Sequence, residues 1–126
     1  MIKGIEHIGI YSKDTAALQA WYIKVLDFRL VHDNGRGNYF LAAEDNSMLE
    51  ICVSEEDNTV WGHRAEGLRH IALTVEDFEG TVEKLMKEKV EVVIEPAVSA
   101  SGVKTFFFRD PDGNVLHLIS RPTPMV

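Results

Sequence analysis

An internal repeat is the feature that most limits what this chain can fold into. Each half begins with an apolar run that has a histidine at its centre, at residues 5–10 and 68–73. Each half closes with a polar turn followed by a second apolar run, at residues 45–51 and 112–118. We expect two related halves to pack about a pseudo-twofold axis. The sequence therefore predicts two similar modules rather than one irregular fold.

The repeat aligns four polar side chains in two pairs. His7 corresponds to His70, and Glu50 corresponds to His117. If these side chains point inward, the pseudo-twofold axis would bring all four to one point. Three imidazoles and one carboxylate suit a divalent transition metal. A hydrogen-bonded structural role is the alternative for any one histidine, but four residues at equivalent positions of a repeat favour a metal site.

Hydrophobic periodicity predicts the order βαβββ in each half, which is an α+β fold. The helices follow the N-cap candidates Asp14-Thr15 and Glu76-Asp77, and Asp27 ends the first of them. Pro96 is expected to stop the strand before it. The predicted strands are 5–11, 28–31, 39–43, 48–53, 68–75, 90–94, 103–108 and 115–119, and the predicted helices are 16–26 and 78–88.

The length of 126 residues predicts a single domain built from two modules. We place the first module at 1–54, a connection at 55–66, the second module at 67–121 and a tail at 122–126. The connection is polar and lacks periodicity. Its Trp61 is expected to pack over the edge of the core, with a partner subunit or a substrate as the alternative contact.

Composition excludes several classes of partner. The net charge is −7 and no cluster of basic residues occurs, which argues against nucleic acid and against acidic membrane surfaces. Cys52 is the only cysteine, so no internal disulfide can form. Its apolar neighbours predict an inert thiol. The chain has no secretory signal pattern and no membrane-length apolar stretch, so we expect a cytoplasmic protein.

Strand alternation predicts which face carries the histidines. His7 shares one face of its strand with Gly9, while Ile8 and Ile10 share the other. The apolar face must pack against a helix, so the histidine face is expected to line a cavity. A charged Glu50 on the histidine face costs free energy unless it is paired or bound to a metal.

Four segments resemble the vicinal oxygen chelate superfamily, which includes glyoxalase I, extradiol dioxygenases, fosfomycin-resistance enzymes and bleomycin-binding proteins. They are Ile5-Glu6-His7-Ile8-Gly9-Ile10, Trp21-Tyr22-Ile23-Lys24-Val25-Leu26-Asp27-Phe28, Leu68-Arg69-His70-Ile71-Ala72-Leu73 and Phe107-Phe108-Arg109-Asp110-Pro111-Asp112-Gly113-Asn114. The resemblance implies two tandem βαβββ modules that form a U-shaped mixed sheet around a central cavity. It also implies a homodimer, and metal ligands at His7, Glu50, His70 and His117.

One ligand position departs from the best-known members. Glyoxalase I has a glutamate, which doubles as the catalytic base, where this chain has His117. The dioxygenase and fosfomycin-enzyme patterns also end in glutamate, whereas bleomycin-binding members lack the metal set. With this ligand set, Glu50 is the better candidate base and His117 the second. Arg36 and Arg109 are candidates for binding a substrate carboxylate or phosphate.

These residues predict a glyoxalase-I-like lyase or isomerase that acts on a small α-oxygenated substrate through a metal-stabilised enediolate. The cofactor is expected to be one divalent transition metal per site. Three imidazoles favour Zn or Ni, and Co, Mn and Fe remain open. The alternatives are a non-catalytic small-molecule-binding or resistance protein of the same fold, and an Fe(II) ring-cleavage dioxygenase. The sequence identifies neither the substrate nor whether each site lies within or between subunits.

Overall fold

The computed structural model describes the whole chain except residues 2–4 and 56–67. The chain divides into two compact units, Met1–Thr59 and Val60–Val126, which contain the first and the second module. Most of the predicted connection, including Trp61, lies outside the described residues.

The strands of the first module form a four-stranded mixed sheet. Its elements are β1 (His7–Ser12), α1 (Thr15–Leu26), β2 (Arg29–Asp33), β3 (Tyr39–Ala42) and β4 (Met48–Val53). The strand order is β1-β4-β3-β2, with β1 parallel to β4 and the other neighbours antiparallel. The first and last strands of the module are therefore neighbours, which puts His7 and Glu50 on adjacent strands.

The second module repeats this arrangement. Its elements are β5 (Ile71–Thr74), α2 (Phe78–Lys87), β6 (Glu91–Val98), β7 (Lys104–Arg109) and β8 (Val115–Ser120). The strand order is β5-β8-β7-β6, again with one parallel pair, β5 and β8. The predicted α+β fold of two βαβββ modules is confirmed.

Each sheet has a buried apolar face. In the first module, α1 packs against β1, β3 and β4, and α2 packs against β8 in the second. The predicted alternation is confirmed in the closing strands, where Leu49 and Ile51 are buried in β4, and Leu116 and Leu118 in β8. The other large buried side chains are Leu18, Tyr22, Val25, Leu41, Phe78, Leu85, Phe106 and Phe108. In each module, the apolar core supports one face of the sheet and leaves the other face, which carries the histidines, free of the helix.

Both helices have the predicted caps. The Asp14 carboxylate accepts a hydrogen bond of 3.0 Å from the Ala17 N–H, and Asp77 accepts one of 3.0 Å from the Gly80 N–H. Asp27 ends α1 in the left-handed conformation, with φ 56°. Within the described part of the chain, neither helix is long and apolar enough to cross a membrane.

The predicted end of the sixth strand was wrong. We expected Pro96 to stop it at Ile94, but β6 continues to Val98. β6 is an edge strand, and proline is tolerated at an edge because one side of the strand needs no backbone donor. The pairing register with β7 also shifts between Ile94 and Ala97, which leaves Pro96 out of the ladder.

Candidate functional site

In the first module, the two predicted ligands share one face of the sheet. Glu50 is paired with Gly9 on β1 and with Phe40 on β3. Paired residues on neighbouring strands point to the same face, and His7 lies two residues before Gly9 and so shares it. The His7 ring meets the Phe40 ring edge-on, with centroids 5.3 Å apart. The histidine face predicted from alternation therefore exists here.

The second module reproduces this arrangement with different chemistry at one position. His117 is paired with Ala72 on β5 and with Phe107 on β7. The His70 ring meets the Phe107 ring edge-on at 5.5 Å, in the geometry of the equivalent pair in the first module. His70 lies immediately before β5, which begins at Ile71 rather than at residue 68 as predicted. The two modules therefore share the packing of these side chains as well as the backbone fold.

The two histidines of the second module form a compact aromatic cluster with Phe107. The His117 ring stacks on Phe107 with centroids 4.0 Å apart and an interplanar angle of 12°. The His70 and His117 rings meet edge-on at 5.1 Å. His117 is buried, with 7% of its surface exposed. Its ring is thus held by packing on a strand at the centre of the sheet, in a fixed orientation.

Three imidazole nitrogens of this cluster have no hydrogen-bond partner in the described part of the chain. They are Nδ1 of His70 and both Nδ1 and Nε2 of His117, and all three are buried. A buried polar group without a partner costs about 1–3 kcal/mol. An arrangement with this cost is expected where the nitrogens serve a ligand from outside the chain, and imidazole nitrogen is a preferred ligand of divalent transition metals. The pair therefore fits a metal.

The environment keeps these imidazoles neutral. Burial lowers the pKa of His117 from 6.5 to about 4, and the charges of His70, Arg69 and Arg121 act in the same direction. Burial, and then the Arg69 charge, also lower the pKa of His70. At neutral pH each ring therefore has a free lone pair, which is the form that binds a metal.

The pair in the first module has polar partners. Nδ1 of His7 lies 3.0 Å from Glu6 Oε1, and a carboxylate at one ring nitrogen orients the other toward a metal. Glu50 Oε1 accepts a hydrogen bond of 3.1 Å from Cys52 Sγ. Burial, and then the hydrogen bond and charge of Glu50, raise the pKa of the Cys52 thiol to about 11, so the thiol stays protonated.

Each module thus brings two of the four predicted ligands to one face. Among the residues that the structure describes, no three His, Cys, Asp or Glu side chains are grouped as metal ligands would be. The meeting of all four around one ion remains a prediction from the sequence.

The two arginines predicted to bind substrate lie in different surroundings. One Arg109 guanidinium nitrogen donates to the Gly113 carbonyl at 2.7 Å, and another lies 3.5 Å from Glu91 Oε1. Arg109 therefore braces the turn between β7 and β8. Arg36 is exposed in the turn between β2 and β3, where its backbone N–H donates to Asn34 Oδ1 at 2.7 Å.

Arg69 is a further residue of this face that was not among the predicted site residues. Its guanidinium carbon lies 5.8 Å from the centroid of the Phe107 ring, beside the His70–His117 pair. One sequence signal was available, because Arg69 precedes His70 where the first module has Glu6 before His7. The exchange of an acid for a base at a repeated position indicates that the two histidine faces differ in charge.

Comparison with known proteins identifies the family. Residues 4–118 match the model of the Glyoxalase/Bleomycin resistance protein/Dioxygenase superfamily, so the chain belongs to this superfamily. The resemblance found in the sequence is thereby confirmed.

Individual relatives agree with this assignment. The chain is 28% identical to the uncharacterized protein YwkD of Bacillus subtilis, over 94% of this chain and 97% of that protein. It is 30% identical to a glyoxalase family protein from Enterococcus faecalis, with a TM-score of 0.72 over 94% of this chain and 98% of that one. A lactoylglutathione lyase from Agrobacterium tumefaciens shares the fold, at 20% identity and a TM-score of 0.71 over 94% of this chain and 93% of that one.

Proposed function

We propose that the protein is a metal-dependent, glyoxalase-I-like lyase or isomerase that acts on a small α-oxygenated substrate. The observation that carries the proposal is the His70–His117 pair, whose neutral rings are packed in place while three buried nitrogens have no partner among the described residues. His7 and Glu50 occupy the equivalent positions of the first module. Membership of the superfamily supports the same reading.

The residues that would hold the metal are His7, Glu50, His70 and His117. This set of nitrogen and oxygen donors fits Zn or Ni, and also Co, Mn or Fe. When bound, the metal would supply Lewis acidity to two adjacent substrate oxygens. Glu6 orients the His7 ring through Nδ1, and Phe107 fixes the His117 ring by stacking. Within each module, these contacts hold a predicted ligand ring in a defined orientation.

Glu50 is the group best suited to move a proton between neighbouring carbons of the substrate. A carboxylate beside the reacting carbon can accept a proton and return it. Cys52 donates to one oxygen of Glu50, which leaves the second oxygen available to hold the metal or, when it is released from the metal, to accept a proton from the substrate. Because the Cys52 pKa is raised to about 11, the thiol is a neutral donor and does not compete as a base. His117 is the second candidate base.

The test is turnover by the metal-reconstituted protein. The hemithioacetal of methylglyoxal and a thiol is the first substrate to assay with Zn, Ni, Co, Mn and Fe(II). Glu50→Gln should lower kcat by about a hundredfold or more, because a positioned base contributes at least that much. Glu83→Gln is the matched control, since Glu83 is an exposed carboxylate on α2 that pairs with Lys87.

Other outcomes would redirect the assignment. Stoichiometric binding of a small molecule without turnover, with metal supplied, would replace the enzyme by a binding or resistance protein. Oxygen uptake that depends on Fe(II) and a catechol would replace it by a ring-cleavage dioxygenase. Equal activity of Glu50→Gln and the native protein would remove Glu50 from the proton transfer.

A further inference from the structure

The histidine faces of the two modules carry opposite charge. In the first module, Glu6 lies beside His7, and Glu50 is paired across from Gly9 on the same face. In the second module, Arg69 takes the position of Glu6, and His117 takes that of Glu50. The repeat thus changes an acidic pair into a cationic residue and a neutral imidazole. A structural repeat alone gives no reason for this change.

The cationic character of the second face comes from two arginines. Arg69 is exposed and lies over the Phe107 ring, which itself stacks on His117. Arg121 directly follows β8, which carries His117, and it too is exposed. The guanidinium groups of Arg69 and Arg121 stay positively charged at every physiological pH.

Arg69 is placed to bind an anion. Arg109, by contrast, has its guanidinium engaged by Gly113 and Glu91. No ion pair joins Arg69 to a carboxylate in the described part of the chain, and the Phe107 ring supports its guanidinium. A guanidinium held in this way presents its N–H fork to carboxylate or phosphate oxygens, which it binds in bidentate fashion.

We propose that Arg69, assisted by Arg121, binds the anionic group of the substrate, a carboxylate or a phosphate, beside the His70–His117 pair. This inference rests on the proposed function, since it narrows the α-oxygenated substrates to those with an anion next to the reacting oxygens. In a chain with a net charge of −7, such a local cationic patch also attracts the anion to the correct face.

The experiment measures anion binding separately from metal binding. Lactate and inorganic phosphate are titrated into the metal-reconstituted protein and the metal-free protein, and the imidazole signals of His70 and His117 are followed by NMR. Lactamide, the neutral amide of lactate, is the control ligand. Metal content of every variant is determined by elemental analysis. The two anions distinguish a carboxylate site from a phosphate site.

Arg69→Gln should weaken binding of the preferred anion by about tenfold or more, because charge-assisted hydrogen bonds are lost. Arg121→Gln should weaken it less. Arg69→Lys should restore part of the affinity, since it keeps the charge but loses the planar fork. Lys87→Gln, which removes an exposed charge from α2 of the same module, should bind like the native protein. Lactamide binding should not change in any variant, and metal content should be retained.

Two results would overturn the inference. One is the same anion affinity in Arg69→Gln as in Lys87→Gln. The other is that neither lactate nor phosphate shifts the His70 and His117 signals of the native protein. Failure of the proposed function is a different result, in which the native protein takes up no metal. An anion site that depends on Arg69 would survive that failure.

Discussion

Replacement of His117 by leucine should stabilise the metal-free protein. The imidazole is buried, at 7% exposure, and neither ring nitrogen has a partner in the described part of the chain. Removal of these unpaired polar atoms should raise the free energy of unfolding by about 1–3 kcal/mol. Loss of the ring stacking on Phe107 should cost about 0.5–1.5 kcal/mol. The net expectation is a gain of about 1 kcal/mol, whereas most buried substitutions destabilise a protein.

The assay is urea unfolding of chelator-treated protein, compared with the same titration in excess Zn or Ni. His32→Leu is the control, because His32 is exposed on β2 and its loss should change the free energy of unfolding by less than about 0.5 kcal/mol. Metal should stabilise the native protein and the control by about 2.7 kcal/mol at a hundredfold excess over Kd, but not His117→Leu. If metal-free His117→Leu instead loses more than about 1 kcal/mol of unfolding free energy, the imidazole has a structural role and the expected gain is wrong.

Three further predictions follow from the charges and caps. In the metal-free protein, the pKa of His117 is lowered from 6.5 to about 4, so the unfolded chain binds more protons between these values. Stability should therefore fall as the pH drops through this window, by at most about 3 kcal/mol, and a flat pH profile would contradict the assignment. Asp14→Ala and Asp77→Ala should each lower the free energy of unfolding by about 1 kcal/mol, measured by urea unfolding, and a neutral effect would show that the caps contribute nothing. Alkylation of Cys52 should be slow, and Glu50→Gln should accelerate it because the charge that raises the thiol pKa is removed; equal rates would argue against the contact.

The sequence predicted the parts of the fold that depend on local patterns. Caps such as Asp14 and Asp77 act within one helical turn, and alternation in β4 and β8 is decided residue by residue. The end of β6 depended on information that is not local. Pro96 is tolerated because β6 is an edge strand, and edge position follows from the order of the strands in the sheet.

For the candidate site, the sequence predicted which positions are equivalent in the two modules, but not the contacts that depend on the order of the strands. The repeat identified His70 and His117 as equivalents of the first-module pair, and the structure places them in ring contact. The position of Arg69 over Phe107 could not be read from the sequence, because it depends on β5 and β7 lying on either side of β8. The engagement of Arg109 with the turn carbonyl of Gly113 is likewise a feature of the folded hairpin.

The metal site is best tested by the metal content of the purified, reconstituted protein, measured beside a His7→Ala/His70→Ala double variant. This variant removes one predicted ligand from each module while leaving both apolar cores intact. We expect one divalent transition metal ion per native chain and its loss from the folded double variant. No metal uptake by the native protein under any of the five metals, or full retention in the double variant, would contradict it.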